Sequence, residues 1–263
     1  MLICFTGIDG SGKSMQARRL VERFNAAGHA AVYVWGGSYS SLTQPLTHLG
    51  QRLLGAPITW RDRPSPLTRQ LTRVGRRLLK VPAQPQMAGA APPSAPAIGA
   101  QYRAYLSATR RIFRWRLLRS LWLQISLIEH ASEIWRIVLP HLLRNRIIVC
   151  DRYIYDSIIS VAVLAGVDAA ELPRLLRIPP LYRVPRPEKW FFLDVPAHVA
   201  FERKDDIPDR LFVECREQLY RTAAATLGMQ VVDGTAAPDV IAEIIWQSVQ
   251  PLCAQVARAR GRA

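Results

Sequence analysis

Gly7-Ile8-Asp9-Gly10-Ser11-Gly12-Lys13-Ser14 follows the β-rich run Leu2 to Thr6 and precedes a helical pattern, and it is a complete G-x-x-x-x-G-K-S phosphate loop. Its glycines let the backbone turn and bring N–H groups onto phosphate oxygens, while the following helix points its positive end at the same anion. Lys13 is placed to reach the β- and γ-phosphates of a nucleoside triphosphate, and the Ser14 hydroxyl to ligate Mg²⁺. Gly7, Asp9, Gly10, Ser11, Gly12, Lys13, Ser14 and the adjoining Met15 are therefore the expected donor-nucleotide residues.

Outward from the loop, the pattern from about Ser14 to Ala27 carries Leu20, Val21 and Phe24 on one face and ends at Gly28, which predicts a helix. Ala30 to Trp35 is a second β-rich run closed by Gly36-Gly37, which completes a β-α-β unit and predicts a parallel sheet. Short helical patterns follow around Leu46 to Leu54 and Leu67 to Leu79. The stretch from Val81 to Ala100, with Pro82, Pro85, Pro92, Pro93 and Pro96 among alanines and glycines, reads as a flexible surface excursion within one domain. Tyr102 to about Leu143 is a long helical region with an expected break near Ser120. Met229 to Val232 is a last strand, Pro238 to about Ala257 a closing helix, and 258–263 a frayed basic tail.

The totals bound the class. A chain of 263 residues with 49% hydrophobic content can build a sizeable core. Uncharged apolar stretches such as the one between Arg119 and Glu129 fall far short of the roughly 20 residues a membrane span needs. Met1 to Phe5 lacks a basic leader region and runs into the loop, so a cytoplasmic location is expected. Cys4, Cys150, Cys215 and Cys253 show no metal-ligand spacing and read as buried or incidental thiols. The net charge of +15 would attract polyphosphates, nucleic acid or anionic lipid alike. Arg103, Arg110, Arg111, Arg114, Arg116 and Arg119, interleaved with Ile112, Phe113, Trp115, Leu117 and Leu118, fit two descriptions. One is a helix packing its apolar face on the sheet with arginines toward water or an acceptor phosphate. The other is peripheral contact with an anionic surface through 103–119.

Ile147-Ile148-Val149-Cys150 is a strand that delivers Asp151 at its C-terminal end, where a Mg²⁺-phosphate site needs an acid opposite the loop. Arg152 and Tyr153 follow, the arginine suited to hold an acceptor phosphate bidentately. Trp190 to Val195 is a further strand, with Pro196 at a helix start. The charged, proline-broken segment 203–211 is an expected lid, with Arg203 and Arg210 as cations for the migrating phosphoryl group.

With these residues in place the chain resembles the thymidylate kinase family of P-loop nucleoside monophosphate kinases over nearly its whole length. The resemblance is carried by Phe5 to Ser14 with Gln16-Ala17, by Val149 to Tyr153 with Ser157, by Phe192 to Pro196 with Ala200 and Arg203, and by Val231-Val232-Asp233. It implies an α/β fold: a P-loop three-layer sandwich whose five-stranded parallel sheet has helices on both faces. It also implies Mg·ATP as donor, a nucleoside monophosphate such as dTMP as acceptor, Asp9 facing the acceptor sugar, Asp233 near the donor, and Asp151 to Tyr153 serving metal and acceptor phosphate. A homodimer is left open as a partner. Two departures mark the chain: Val34-Trp35-Gly36-Gly37-Ser38 stands where the family usually has Thr-Arg-Glu-Pro-Gly-Gly, and Glu129-His130 where it has an Asp-Arg pair. Trp35, Glu129 and His130 thereby become candidate acceptor residues. Two other readings stay open, a kinase of a sugar or lipid-linked intermediate on the same scaffold, and a nucleotide-binding regulatory or nucleic-acid-associated protein.

Overall fold

The computed structural model describes residues 1–37, 95–177, 183–204, 207 and 209–260. The helical patterns anticipated at 46–54 and 67–79, and the excursion up to residue 94, lie outside the described residues. The elements run β1 (Leu2–Thr6), α1 (Lys13–Ala26), β2 (Ala31–Trp35), α2 (Ala95–Ile112), α3 (Arg116–Leu142), β3 (Ile147–Asp151), α4 (Ile154–Ala165), α5 (Leu172–Leu175), β4 (Lys189–Asp194), α6 (Ala197–Glu202), α7 (Arg210–Leu227), β5 (Gln230–Asp233) and α8 (Pro238–Arg260).

All strand pairings are parallel, in the order β2-β3-β1-β4-β5, as the resemblance implied. The central strands β1 and β3 are apolar up to their last residue because both faces of the sheet are covered there. Along β1 and β3 alternate side chains go to opposite cores. Leu2, Cys4, Ile148 and Cys150 join one face with Leu106, Leu127, Ile158 and Tyr220, so α2, α3, α4 and α7 cover it. Ile3, Phe5, Val149 and Leu193 join the other with Leu20, Phe24, Ile241 and Ile245 of α1 and α8. Three layers result. The Phe5 and Phe191 rings stack at 5.3 Å between neighbouring strands. Strand order reverses around β1, and in open parallel sheets such a reversal opens a crevice at the C-terminal strand ends, where the phosphate loop sits.

Three expectations are corrected. Helix α2 begins at Ala95 and so takes the last six residues assigned to the flexible excursion. The break in the long helical region falls at Phe113–Trp115 and not near Ser120. Helix α8 continues through Arg260, into the stretch expected to fray. The basic aromatic stretch also departs from simple packing: Trp115 is 76% and Leu117 75% exposed, and no residue of α3 before Ser126 is buried. The first turns of α3 extend past the layer formed with α4 and β3. Among the described residues no helix is long and apolar enough to cross a membrane.

Candidate active site

The loop between β1 and α1 depends on glycine for two separate reasons. Gly7, Gly10 and Gly12 have φ of 144°, 87° and 88°, a region costly for any residue with a Cβ. A Cβ on Gly7 would lie 2.7 Å from the Leu193 carbonyl oxygen, and one on Gly10 would run into the Ala200 carbonyl, so the loop is also pressed against β4 and α6. Gly12 caps α1 without any side-chain hydrogen bond. The first-turn N–H groups are thus left for an anion.

Lys13, only 5% exposed, folds over the loop, its Nζ donating to Ile8 O at 2.6 Å and Ser11 Oγ at 3.2 Å. Burial, aided by nearby Arg152, lowers its pKa to about 8. Phosphate at this ammonium would raise that value again, so rising pH weakens anion binding by discharging the free loop. At pH ~9, calorimetry in buffers of different ionisation enthalpy should show uptake of about one proton per ADP bound, against no uptake and some release near pH ~6.5, where Lys13 is already charged and the terminal phosphate is still partly protonated. Equal proton uptake at both pH values would remove Lys13 from the phosphate site.

Asp151 closes β3 and is 1% exposed. Its Oδ2 accepts a 2.7 Å hydrogen bond from the Tyr33 hydroxyl, whereas its Oδ1 is buried with no hydrogen-bond partner. Burial and the Asp151 hydrogen bond push the Tyr33 phenol up to about 12, so it stays a donor, and Ser14 approaches the same phenol. Among the described residues no group of three His, Cys, Asp or Glu side chains is suited to a metal. Mg²⁺ keeps waters and takes one or two carboxylate or hydroxyl ligands plus substrate phosphates. The unpaired carboxylate oxygen of Asp151, with Ser14 nearby, is a donor set of that kind.

Arg152 sits at φ 71°, where the close approach of Gly36 leaves no room for a Cβ beside the Arg152 carbonyl. Its guanidinium donates to Asp9 Oδ1 and lies 3.7 Å from Asp156 Oδ1. Burial alone would raise the Asp9 carboxyl, but Arg152 first, then Lys13, Lys204 and Arg216, outweigh it and hold Asp9 well below the usual carboxylate range. Asp156 caps α4 by accepting from Tyr153 N at 2.9 Å, and accepts from Tyr220 Oη at 2.9 Å; burial raises its pKa against the pull of Arg152. The loop acid, the arginine and a buried anchor therefore form one chain of charges. Sequence reasoning reached Asp9 and Arg152 and missed Asp156 and Tyr220.

The remaining expected residues divide. Arg203 donates to Gly234 O at 2.8 Å, and Gly234 N to Asp194 O at 2.8 Å, which ties α6 to the end of β5 beside the loop. Asp233 is exposed and accepts from Thr235 N at 2.8 Å and Oγ1 at 2.6 Å, shaping that turn. Met15 is 41% exposed on the first turn of α1. Trp35 ends β2 in register with Asp151, its ring packed over Gly37. Arg210 is held on the outer side of α7 by Glu214 at 2.7 Å. The cations that reach the field of Asp9 are instead Lys204 and Arg216. Arg216 is buried, 3.7 Å over the Phe212 ring, donating to Tyr102 Oη at 3.2 Å and Phe212 O at 2.8 Å. The signal for it was available: Val213, Arg216, Tyr220 and Ala223 occupy one helical face, with the arginine at an inward position.

Three candidate acceptor residues lie in the interior. Tyr153 is fully buried and its hydroxyl donates to Pro185 O at 2.6 Å, so it packs the core and caps α4. Glu129 and His130 lie among the buried residues of α3, which packs on α4 and β3, with His130 Nδ1 3.9 Å from Glu133 Oε2. They are interior groups of that layer.

A family model described as "Thymidylate kinase" matches residues 70–231, more than half of the chain. A curated "Thymidylate kinase" of Thermomicrobium roseum is 30% identical over 132 residues, covering 45% of this chain and 61% of that protein. The chain thus spans about three fifths of that relative's length. The family match takes in β3, Asp151, Arg152, β4 and α7, while the phosphate loop precedes it.

Proposed function

This chain belongs to the thymidylate kinase family, and on that premise we propose that it transfers the γ-phosphoryl group of ATP to a nucleoside monophosphate, dTMP first among candidates. The observation that carries the reading is the meeting of three things at adjacent strand ends: the glycine-shaped loop with Lys13, the unpaired Oδ1 of Asp151, and the Asp9–Arg152 pair. Each has a role in a loose in-line transfer, in which catalysis is mostly positioning and charge stabilisation. The loop N–H groups and Lys13 bind the donor phosphates. Ser14 and Asp151 would hold Mg²⁺, which would supply neutralising charge to the donor phosphates. Asp9 fixes Arg152 so that its remaining donors meet the acceptor phosphate. In the expected lid at 203–211, Arg203 adds a cation from the donor side, where it is tied to Gly234, and Lys204 adds one in the field of Asp9, while Asp233 with Gly234 borders the donor base.

The second reading, phosphorylation of a sugar or lipid-linked acceptor, is favoured by the burial of Tyr153, Glu129 and His130. These were the side chains expected to grip a nucleoside. The test is ADP release by the purified protein with Mg·ATP and a panel of nucleoside monophosphates, sugars and lipid-linked phosphates. Acceptor-dependent ADP with a monophosphate, dTMP foremost, is the expected result. Turnover only with a sugar or lipid-linked acceptor would replace the first reading with the second. No acceptor-dependent turnover, with salt-sensitive binding to nucleic acid, would instead favour a regulatory role for the exposed arginines of α2 and α3.

A further inference from the structure

The two oxygens of Asp151 are in different states, and a residue from outside the phosphate loop makes them so. Tyr33 lies two positions before Trp35, the register partner of Asp151, so the period of two in a strand places Tyr33 and Asp151 on the same face of the sheet. That face is the one covered by α1, since Tyr33 packs against the core cluster that holds Leu20 and Phe24. One turn of α1 then brackets the tyrosine. The Arg18 guanidinium stands 4.2 Å over its ring, and Ser14, four residues earlier on the same helix face, approaches its hydroxyl. The hydroxyl donates to Asp151 Oδ2 at 2.7 Å, and Oδ1 remains buried and unpaired.

We propose that Tyr33 is a positioning residue for the divalent-cation site: by occupying Oδ2 it fixes the Asp151 carboxylate in the one orientation that leaves Oδ1 for the cation or a cation-bound water. The inference rests on the metal reading proposed above. Its logic is that of outer-shell partners generally, where the group that hydrogen-bonds a ligating side chain sets its orientation without touching the metal. The ring clamped under Arg18 supplies rigidity, and a swinging aspartate would lose it. The neighbouring Ser14 hydroxyl hydrogen-bonds the same phenol oxygen as donor, so both candidate ligands meet at Tyr33. No signal in the sequence pointed to this tyrosine, because its role depends on a β2 side chain meeting a β3 side chain across the sheet.

The test uses the full-length protein with ADP and Mn²⁺ as probe, the free ion being counted by electron paramagnetic resonance. Tyr33→Phe keeps the ring under Arg18 and removes only the hydroxyl. It should weaken Mn²⁺ binding about tenfold, raise the Mg²⁺ concentration needed for half-maximal turnover similarly, and leave metal-free ADP binding and Tm close to the parent's. Asp151→Asn, measured alongside, should weaken Mn²⁺ at least as much. If Asp151→Asn does so and Tyr33→Phe binds Mn²⁺ as well as the parent, or better, the positioning role is wrong while the metal reading stands. If Asp151→Asn has no effect on Mn²⁺, the metal reading fails and this inference with it. A Tyr33→Phe variant that loses metal-free ADP binding and stability along with Mn²⁺ would make the tyrosine a structural residue only, and overturn the proposal.

Discussion

Lys13→Ala should lose about 10²–10³-fold or more in turnover, the scale set by removing one preorganised charge from a transition state, while its Tm stays at or above the parent's. The two halves of that expectation have one cause. The ammonium is buried against the loop, and burial lowers its pKa to about 8. A lysine whose folded pKa lies below its unfolded value costs stability at neutral pH, and the cost falls as pH rises from about 8 toward the unfolded value. Removing the side chain removes the cost along with the phosphate contact, a trade between stability and function common at active sites. The contacts to Ile8 O and Ser11 Oγ are lost too, but the glycine geometry that shapes the loop does not depend on them. Steady-state ADP release and a thermal melt decide it. Turnover within tenfold of the parent would exclude Lys13 from the transfer.

Arg152→Ala should be the more damaging change, because it breaks both the site and the fold beneath it. The guanidinium links Asp9, on the loop, to Asp156, which is 2% exposed at the start of α4. Deleting one partner from a buried charge network leaves the others uncompensated, at a cost of about 3 kcal/mol, or ~10 °C in Tm for a chain of this size. Turnover should fall about 10³-fold, since the acceptor phosphate loses its fork of donors. The pH dependence has a definite sign. Burial raises the Asp156 pKa even with Arg152 present, and without the arginine nothing comparable opposes it. The variant's Asp156 is then neutral in acid, so its stability is greatest there and falls as pH rises through the range between the unfolded and folded values. The deficit relative to the parent should therefore be smaller at pH ~5 than at pH ~8. Arg152→Lys restores charge but not the planar fork, and should recover stability ahead of activity. A deficit independent of pH would show that Asp156 is not coupled to the arginine.

The difference between what sequence reading reached and what it missed follows the range of the interactions. β1, β3 and β4 were legible because a strand buried on both faces is apolar at every position, which requires no knowledge of its neighbours. The phosphate loop was legible because its glycines answer to local φ values, and Asp151 because it ends such a strand. The break in the long helical region was misplaced by several residues, since Phe113–Trp115 carries neither glycine nor proline and helical propensity alone does not mark it. The family resemblance groups Tyr153 with Asp151 and Arg152, yet successive residues entering α4 point to different places, and the Tyr153 hydroxyl goes to Pro185.

By itself, then, the amino-acid sequence determined the parallel β-α-β scaffold, the position of the phosphate loop on it, and the candidate charges Lys13, Asp151, Asp9 and Arg152. These follow from local periodicity, backbone sterics or strand ends, except Asp9, whose place facing the acceptor is what the family resemblance implies. Only the tertiary structure decided which groups face one another: that Tyr33 takes one oxygen of Asp151 and leaves the other, that Asp156 and Tyr220 anchor Arg152 from below, and that Arg216 and Lys204, not Arg210, reach the field of Asp9. Such pairings depend on how strands register and helices cross, distances set by packing between segments far apart in the chain, which no local pattern encodes.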